Sequence, residues 1–254
     1  MNPTPWLIGF LALALPLGAQ PVSLSTRAGG PAPVVLELFT SQGCSSCPPA
    51  EALLGTWGLE QFTSGKLLPL AFHVDYWNDL GWVDPFSSAD ATGRQRDYAR
   101  ALGRDSLYTP QAVLGGQVDA VGSDAKALRE RLAALSTRRA VTGLEISAAR
   151  QGKSLKMTVE TQGTGAAGGD WVLCLAVFEN GLVTKVPRGE NRGRDLEGAF
   201  VVRSFQKAYP APASGVFSVD WDPAWDPART GVAAFLQDRR SLLIDSAAAV
   251  FPLR

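Results

Sequence analysis

The sequence predicts an α/β domain followed by a C-terminal all-β, sandwich-like domain. Residues from about 33 to 137 read β-α-β-α-β-β-α by apolar periodicity and turn signals. A Cys-x-x-Cys pair, Cys44 and Cys47, stands between the first strand and the first helix of that run. From about Ala140 the pattern changes to short period-two strands divided by turn residues, as in β-sandwiches. The expected divisions are an export signal over 1–19, a linker over 20–32, the α/β domain over 33–138 and the β domain over 139–254.

Length and charge bound the rest. A chain of 254 residues makes one large or two small domains, and 46% hydrophobic with 19% charged residues is an ordinary globular balance. With 24 basic against 24 acidic residues there is no basic excess to serve nucleic acid, so no nucleic-acid partner is expected. Residues 6–17 form an apolar stretch too short to span a bilayer, followed by Gly18 and Ala19, which suit signal peptidase. No Lys or Arg precedes that stretch, and a short buried helix is the alternative. The mature chain is expected to be exported, periplasmic or extracellular, without a membrane anchor after cleavage, in a compartment where disulfides persist.

The linker is rich in Pro, Gly, Ser and Thr. Residues 34–39 then read as a central strand covered on both faces, interrupted by Glu37. Burial would raise the pKa of that carboxyl and make it a proton acceptor for a thiol; a partly exposed Glu37 is the plain alternative. Pro48 and Pro49 fit the first turn of a helix, which carries Leu53, Leu54 and Trp57 on its apolar face. A second strand over 67–74 ends in His73, the only histidine, and an aromatic loop over 76–88 follows. Residues 90–102 read as a helix carrying Arg94, Gln95, Arg96 and Arg100, with Tyr98, Ala99 and Leu102 inward; Arg94 and Arg96 either raise the potential near the site or, more commonly, line an exposed face. Tyr108-Thr109-Pro110 opens a hairpin turning at Gly115-Gly116, and Ser123 is expected to cap the next helix. Pro110 suits only a strand's first residue, where a cis Thr109–Pro110 bond would fit. In the β region, Asn180-Gly181 predicts a hairpin, two Asp-Pro pairs predict turns, and Cys174 is expected to be a small core residue.

The chemistry centres on Cys44 and Cys47. A thiolate is the reactive form of cysteine, and unpaired N–H groups at a helix N-terminus favour it. Cys44, expected to be the more exposed, would attack, and Cys47 would resolve the mixed disulfide. The pair could instead be half of a metal site or a static staple. Zinc normally takes four ligands, and the chain has three Cys and one His. Cys44, Cys47 and His73 would make a soft site suited to copper, as in a metallochaperone or sensor. His73 would otherwise stabilise a thiolate, move a proton, or merely shape the aromatic loop. No cofactor is otherwise implied.

The strand, Cys-x-x-Cys, helix order, with Thr109-Pro110 opening the later hairpin, resembles the thioredoxin fold. The resemblance implies that Thr109 and Pro110 lie against the redox pair and help to bind a partner's sulfur. Glu37 resembles that family's buried acid, displaced by one residue. More narrowly, Phe39-Thr40-Ser41-Gln42-Gly43-Cys44-Ser45-Ser46-Cys47-Pro48-Pro49-Ala50 resembles the hallmark of a family of exported thioredoxin-like bacterial proteins of unknown function. His73-Val74-Asp75-Tyr76-Trp77, Arg94-Gln95-Arg96 and Gly189-Glu190-Asn191-Arg192-Gly193-Arg194 support it. Gly198-Ala199-Phe200 stands where that family's pattern would place a His. The expected activity is thiol–disulfide exchange with protein thiols or disulfides and an unidentified redox partner. A non-enzymatic interaction module with a structural disulfide is the further alternative.

Overall fold

The computed structural model describes residues 21–163 and 170–253. The export signal expected over 1–19 lies outside them. The strands are β1 (Val22–Leu24), β2 (Val34–Thr40), β3 (Leu67–His73), β4 (Gln111–Leu114) and β5 (Val118–Val121), then β6 (Gly143–Gln151), β7 (Ser154–Gln162), β8 (Trp171–Glu179), β9 (Leu182–Lys185) and β10 (Asp195–Gly198), and finally β11 (Val201–Ala208), β12 (Ser214–Asp220), β13 (Thr230–Asp238) and β14 (Ile244–Phe251). Helix α1 (Pro48–Leu53) passes through a π turn (Leu54–Gly58) into α2 (Leu59–Thr63); α3 (Ala89–Ala101) and α4 (Ala125–Leu135) follow.

The cysteine-bearing segment forms as its sequence dictates. Every residue of β2 is buried, which is why it is apolar except for Glu37 and Thr40. It pairs parallel to β3 and antiparallel to β4, and so lies inside the sheet. Pro48 and Pro49 start α1, where no N–H is missed. Gly115 and Gly116 turn β4 into β5 with φ of 58° and 70°, which non-glycine residues rarely adopt. Asp124, not the expected Ser123, caps α4, accepting from Ala127 N at 3.0 Å.

The expected fold class is corrected. There is no thioredoxin-like α/β domain followed by a separate sandwich: strands hold 43% of the described residues and helices 19%. One curled nine-stranded sheet, β1-β14-β13-β8-β11-β3-β2-β4-β5, runs through both parts. The two parts meet where β11 lies parallel to β3 at the pair Val201 and Ala71, with Ala71 N donating to Phe200 O at 2.8 Å. The cause is the apolar character of β8 on both faces. Leu173, Leu175 and Val177 belong to the core shared with Leu155, Met157 and Val159 of the three-stranded sheet β12-β7-β6. Cys174, Ala176 and Phe178 join the core that holds Phe62 of α2 and Phe200. A strand covered on both faces becomes the interior of a larger sheet. The stretch expected as linker supplies β1, which pairs with β14. The hairpin expected at Asn180-Gly181 does not form: β8 pairs with β11 and β13, and β9 joins β10 in a separate two-stranded sheet.

No helix among the described residues is long and apolar enough to cross a membrane.

A candidate disulfide centre

Cys44 and Cys47 are joined in a disulfide, with Cα atoms 5.5 Å apart. Cys47 stands at the N-cap of α1, where its carbonyl accepts from Ala50 N at 2.9 Å and Glu51 N at 3.2 Å. The Thr109–Pro110 bond is cis. The Thr109 hydroxyl lies 3.3 Å from Cys44 Sγ and accepts from Trp77 Nε1 at 2.9 Å. Ser46 Oγ is 3.3 Å from the same sulfur. Gly122 permits this approach, since a Cβ there would sit 2.6 Å from Leu38 Cδ1 and 3.1 Å from Pro110 Cβ. Cys44 is not more exposed than Cys47: both residues are 0% exposed, on either side of the exposed Ser45 and Ser46. The expected difference in access between the two sulfurs is therefore absent in the oxidised state.

The loop before Cys44 is held from four directions, with Gln42 at the centre. Its N–H donates to Asp84 Oδ2 at 2.8 Å, and its side-chain amide donates to Thr184 Oγ1 of β9 at 3.0 Å. Its side-chain carbonyl accepts from Trp82 Nε1 at 3.1 Å. The buried Asn191 donates to Gln42 O at 2.9 Å and Cys44 O at 3.0 Å. Next to it, Glu190 Oε2 accepts from Ser45 N at 3.0 Å. Gly189 makes room for Trp82: it has φ of 80°, and a Cβ there would lie 2.9 Å from Trp82 Cβ. The site is thus completed by the β9–β10 connection, about 145 residues further along the chain.

Beneath the loop lie three buried titratable groups. His73 Nδ1 meets Asp84 Oδ2 at 2.7 Å. Glu51, one helical turn beyond Cys47, accepts from Thr40 Oγ1 at 2.6 Å. His73 is the register partner of Thr40, and its Nε2 is buried without a partner among the described residues. Burial opposes the imidazolium, but the Asp84 carboxylate and its hydrogen bond outweigh that and hold the His73 pKa above its ordinary value. Burial likewise opposes the Asp84 carboxylate, but His73 and the N–H groups of Gln42 and Phe86 hold its pKa below the usual range. Glu51 is pushed up by burial, against the pull of His73 and the Thr40 hydroxyl.

The two shifts of the pair predict a pH window. Stability from a raised His73 pKa is fully present below the ordinary 6.5 and is lost as pH rises through the raised value. Stability from a lowered Asp84 pKa is present above the ordinary 3.8 and is lost as pH falls through the lowered value. Asp84→Asn is therefore expected to cost about 1–3 kcal/mol at pH 5–6. That deficit should shrink at alkaline pH, as read from urea midpoints across pH. A deficit independent of pH would mean that the contact acts without charge.

The structure gathers Cys44, Cys47, Thr109 and Pro110, and links His73 to them through Asp84 and Gln42. It does not bring Glu37 to them. Glu37 forms a buried ion pair with Arg94 Nε, accepts from Arg94 Nη2 at 2.7 Å, and accepts from Tyr98 OH at 2.6 Å. Among the described residues no group of three or more His, Cys, Asp or Glu side chains could hold a metal ion. In this state the Cys44 and Cys47 sulfurs are bonded to each other and His73 Nδ1 faces Asp84. Cys174 is buried, and burial pushes its thiol pKa up to about 11. Sequence reasoning passed over Glu51, Asp84, Gln42, Glu190 and Asn191 as site residues. Glu51 carried the i, i+4 spacing from Cys47, and Gln42, Glu190 and Asn191 stood within the motifs that carry the family resemblance.

The model of a family described as "Protein of unknown function (DUF1223)" matches residues 35–237. Comparison with curated proteins gives no match. A crystal structure of a protein from Agrobacterium tumefaciens, AGR_C_4864, is 27% identical, with a TM-score of 0.63 over 88% of this chain and 96% of that one. HBP35 of Porphyromonas gingivalis is 14% identical, with a TM-score of 0.63 over 89% of this chain and 77% of that one, a likeness of fold alone.

Proposed function

We propose that this chain, which belongs to the DUF1223 family of unknown function, is an exported protein that exchanges thiols and disulfides with protein partners through Cys44 and Cys47. The observation that carries the reading is a disulfide too short-ranged to be a useful staple. It closes a separation of only 3 residues, and restraint of the unfolded chain by so small a loop is worth about 2 kcal/mol. Longer loops give roughly twice that. Yet side chains from Asp84, Thr109, Thr184 and Asn191 all converge on the sulfurs or on the loop before them.

In the exchange a partner thiolate attacks Cys44 Sγ. The Cys44–Cys47 bond breaks, and its electron pair leaves on Cys47 Sγ, which takes up a proton. A second partner thiol then displaces Cys44 from the mixed disulfide. The partner ends oxidised to a disulfide and this chain ends as a dithiol, while the reverse sequence reduces a partner. The compartment's potential sets the direction. An oxidising compartment, implied by the apolar N-terminal stretch of the sequence, favours the closed pair.

A static disulfide in an interaction module is the second reading, favoured by the complete burial of both sulfurs. Equilibration of the purified protein with glutathione couples separates the two. Reduction in the range of known exchange proteins, together with oxidation or reduction of a cysteine-containing peptide, supports exchange. A pair that stays closed below about −300 mV, where structural disulfides lie, overturns it.

A further inference from the structure

We propose that Glu190, held in place by Asn191, sets how strongly oxidising the Cys44–Cys47 pair is, by placing a carboxylate on the backbone N–H beside Cys44. The inference deepens the exchange reading and rests on it.

Its basis is a pair of contacts that no neighbouring segment provides. Ser45 N donates to Glu190 Oε2 at 3.0 Å, so the amide adjoining the attacked sulfur is occupied by an anion from the β9–β10 connection. Asn191 fixes that anion: it is 0% exposed, its amide bonds both Gln42 O and Cys44 O, and its Oδ1 accepts from Arg194 at 3.2 Å. The connection lies outside the nine-stranded sheet, on a two-stranded one, and reaches the cysteine loop through these side chains and Thr184.

The chemical consequence has one sign. Reduction breaks the disulfide and leaves Cys44 as thiol or thiolate. N–H groups at a helix entrance stabilise the thiolate, and a nearby negative charge destabilises it. Glu190 does both unfavourable things, taking one N–H and adding its own charge. Whatever destabilises the reduced form lowers the tendency of the disulfide to accept electrons. Glu190 therefore makes the pair less oxidising and the Cys44 thiol less acidic than the same loop would be without it. Because Glu190 is exposed, the effect is modest and salt-dependent.

The test uses the full chain with Glu190→Gln, which keeps the acceptor and removes the charge, and Glu190→Ala, which removes both. On chemically reduced protein, thiolate absorbance against pH should show the Cys44 thiol titrating lower in both variants. The thiolate fraction at neutral pH should rise about three- to tenfold, as expected when one partly screened charge is removed. Against glutathione both variants should be more oxidising, by up to about tenfold in the equilibrium constant, ~30 mV. The difference should narrow at high ionic strength. Unchanged titration and unchanged potential in both variants would overturn the role of Glu190 while leaving exchange by the wild type intact. If the wild type does not exchange but the reduced protein still titrates in a Glu190-dependent way, the exchange reading fails and the electrostatic role stands.

Discussion

Cys44→Ser is expected to abolish exchange, whereas Cys47→Ser is expected to accumulate mixed disulfides with partner proteins. The two sulfurs are equally buried in the oxidised state, so the asymmetry comes from what each one touches. Cys44 Sγ lies 3.3 Å from the Thr109 and Ser46 hydroxyls, under a cover formed by Trp77, Thr109 and the β9–β10 connection. A partner that attacks Cys44 would need only side chains in that cover to move. Cys47 stands at the N-cap of α1 with its backbone tied to the first turn, and moves only with the helix. Without Cys47 nothing internal displaces the partner, so the mixed disulfide persists. Non-reducing electrophoresis of export fractions reads the trapped species. Equal trapping by Cys44→Ser would invert the assignment, and full turnover by Cys47→Ser would exclude a two-cysteine cycle.

Arg94→Met should cost the fold about 3–5 kcal/mol, the usual penalty for leaving one partner of a buried ion pair alone. Arg94 is 4% exposed and Glu37 0%. Its guanidinium sits 4.8–5.6 Å from the ring centroids of Phe72, Tyr98, Phe205 and Phe235. It also donates to Gln237 Oε1 at 3.2 Å, so β2, α3, β11 and β13 share one charge cluster. Removing the cation strands the Glu37 carboxylate among aromatic rings. Combining it with Glu37→Leu should cost less than the sum of the single losses, since the uncompensated charge goes too. Urea midpoints of the two single variants and the double variant form the cycle. A single loss below about 1 kcal/mol would show that water or Gln237 replaces the arginine.

Local signals made much of this legible. The strand before Cys44, the Pro48-Pro49 helix start and the Gly115-Gly116 turn follow from residue types and short spacings, whereas the contact between Thr109 and Cys44, 65 residues apart, is implied only by a resemblance. What escaped was the joining of the two parts. Periodicity reports which faces of β8 are apolar, not which strand lies along its edge, so Cys174–Phe178 suits a sandwich as well as the middle of a long sheet. The same limit hid the partners of Glu37. Its burial fitted either a proton acceptor or an ion pair, and the Arg94 that decides between them lies 57 residues away. Asp84, Glu190 and Asn191 reach the loop from segments whose own patterns say nothing of where they meet it. Their meeting is a product of the closed sheet.

The pairing of β1 with β14 gives this sheet a distinctive assembly order. Val22 faces Phe251 across the ladder, and Thr26 donates to Ala247 O at 2.6 Å over a separation of 221 residues. The first described strand thus finds its partner only after the last has been made. During synthesis the β1 segment has no edge to join, and β14 remains open on one side until β1 arrives. Such long-range closure is slow to form, and until it occurs the nascent sheet has an open margin able to recruit a neighbouring chain. Aggregation during refolding should therefore rise sharply with protein concentration, and a chain shortened to begin after Leu24 should remain prone to it even at completion.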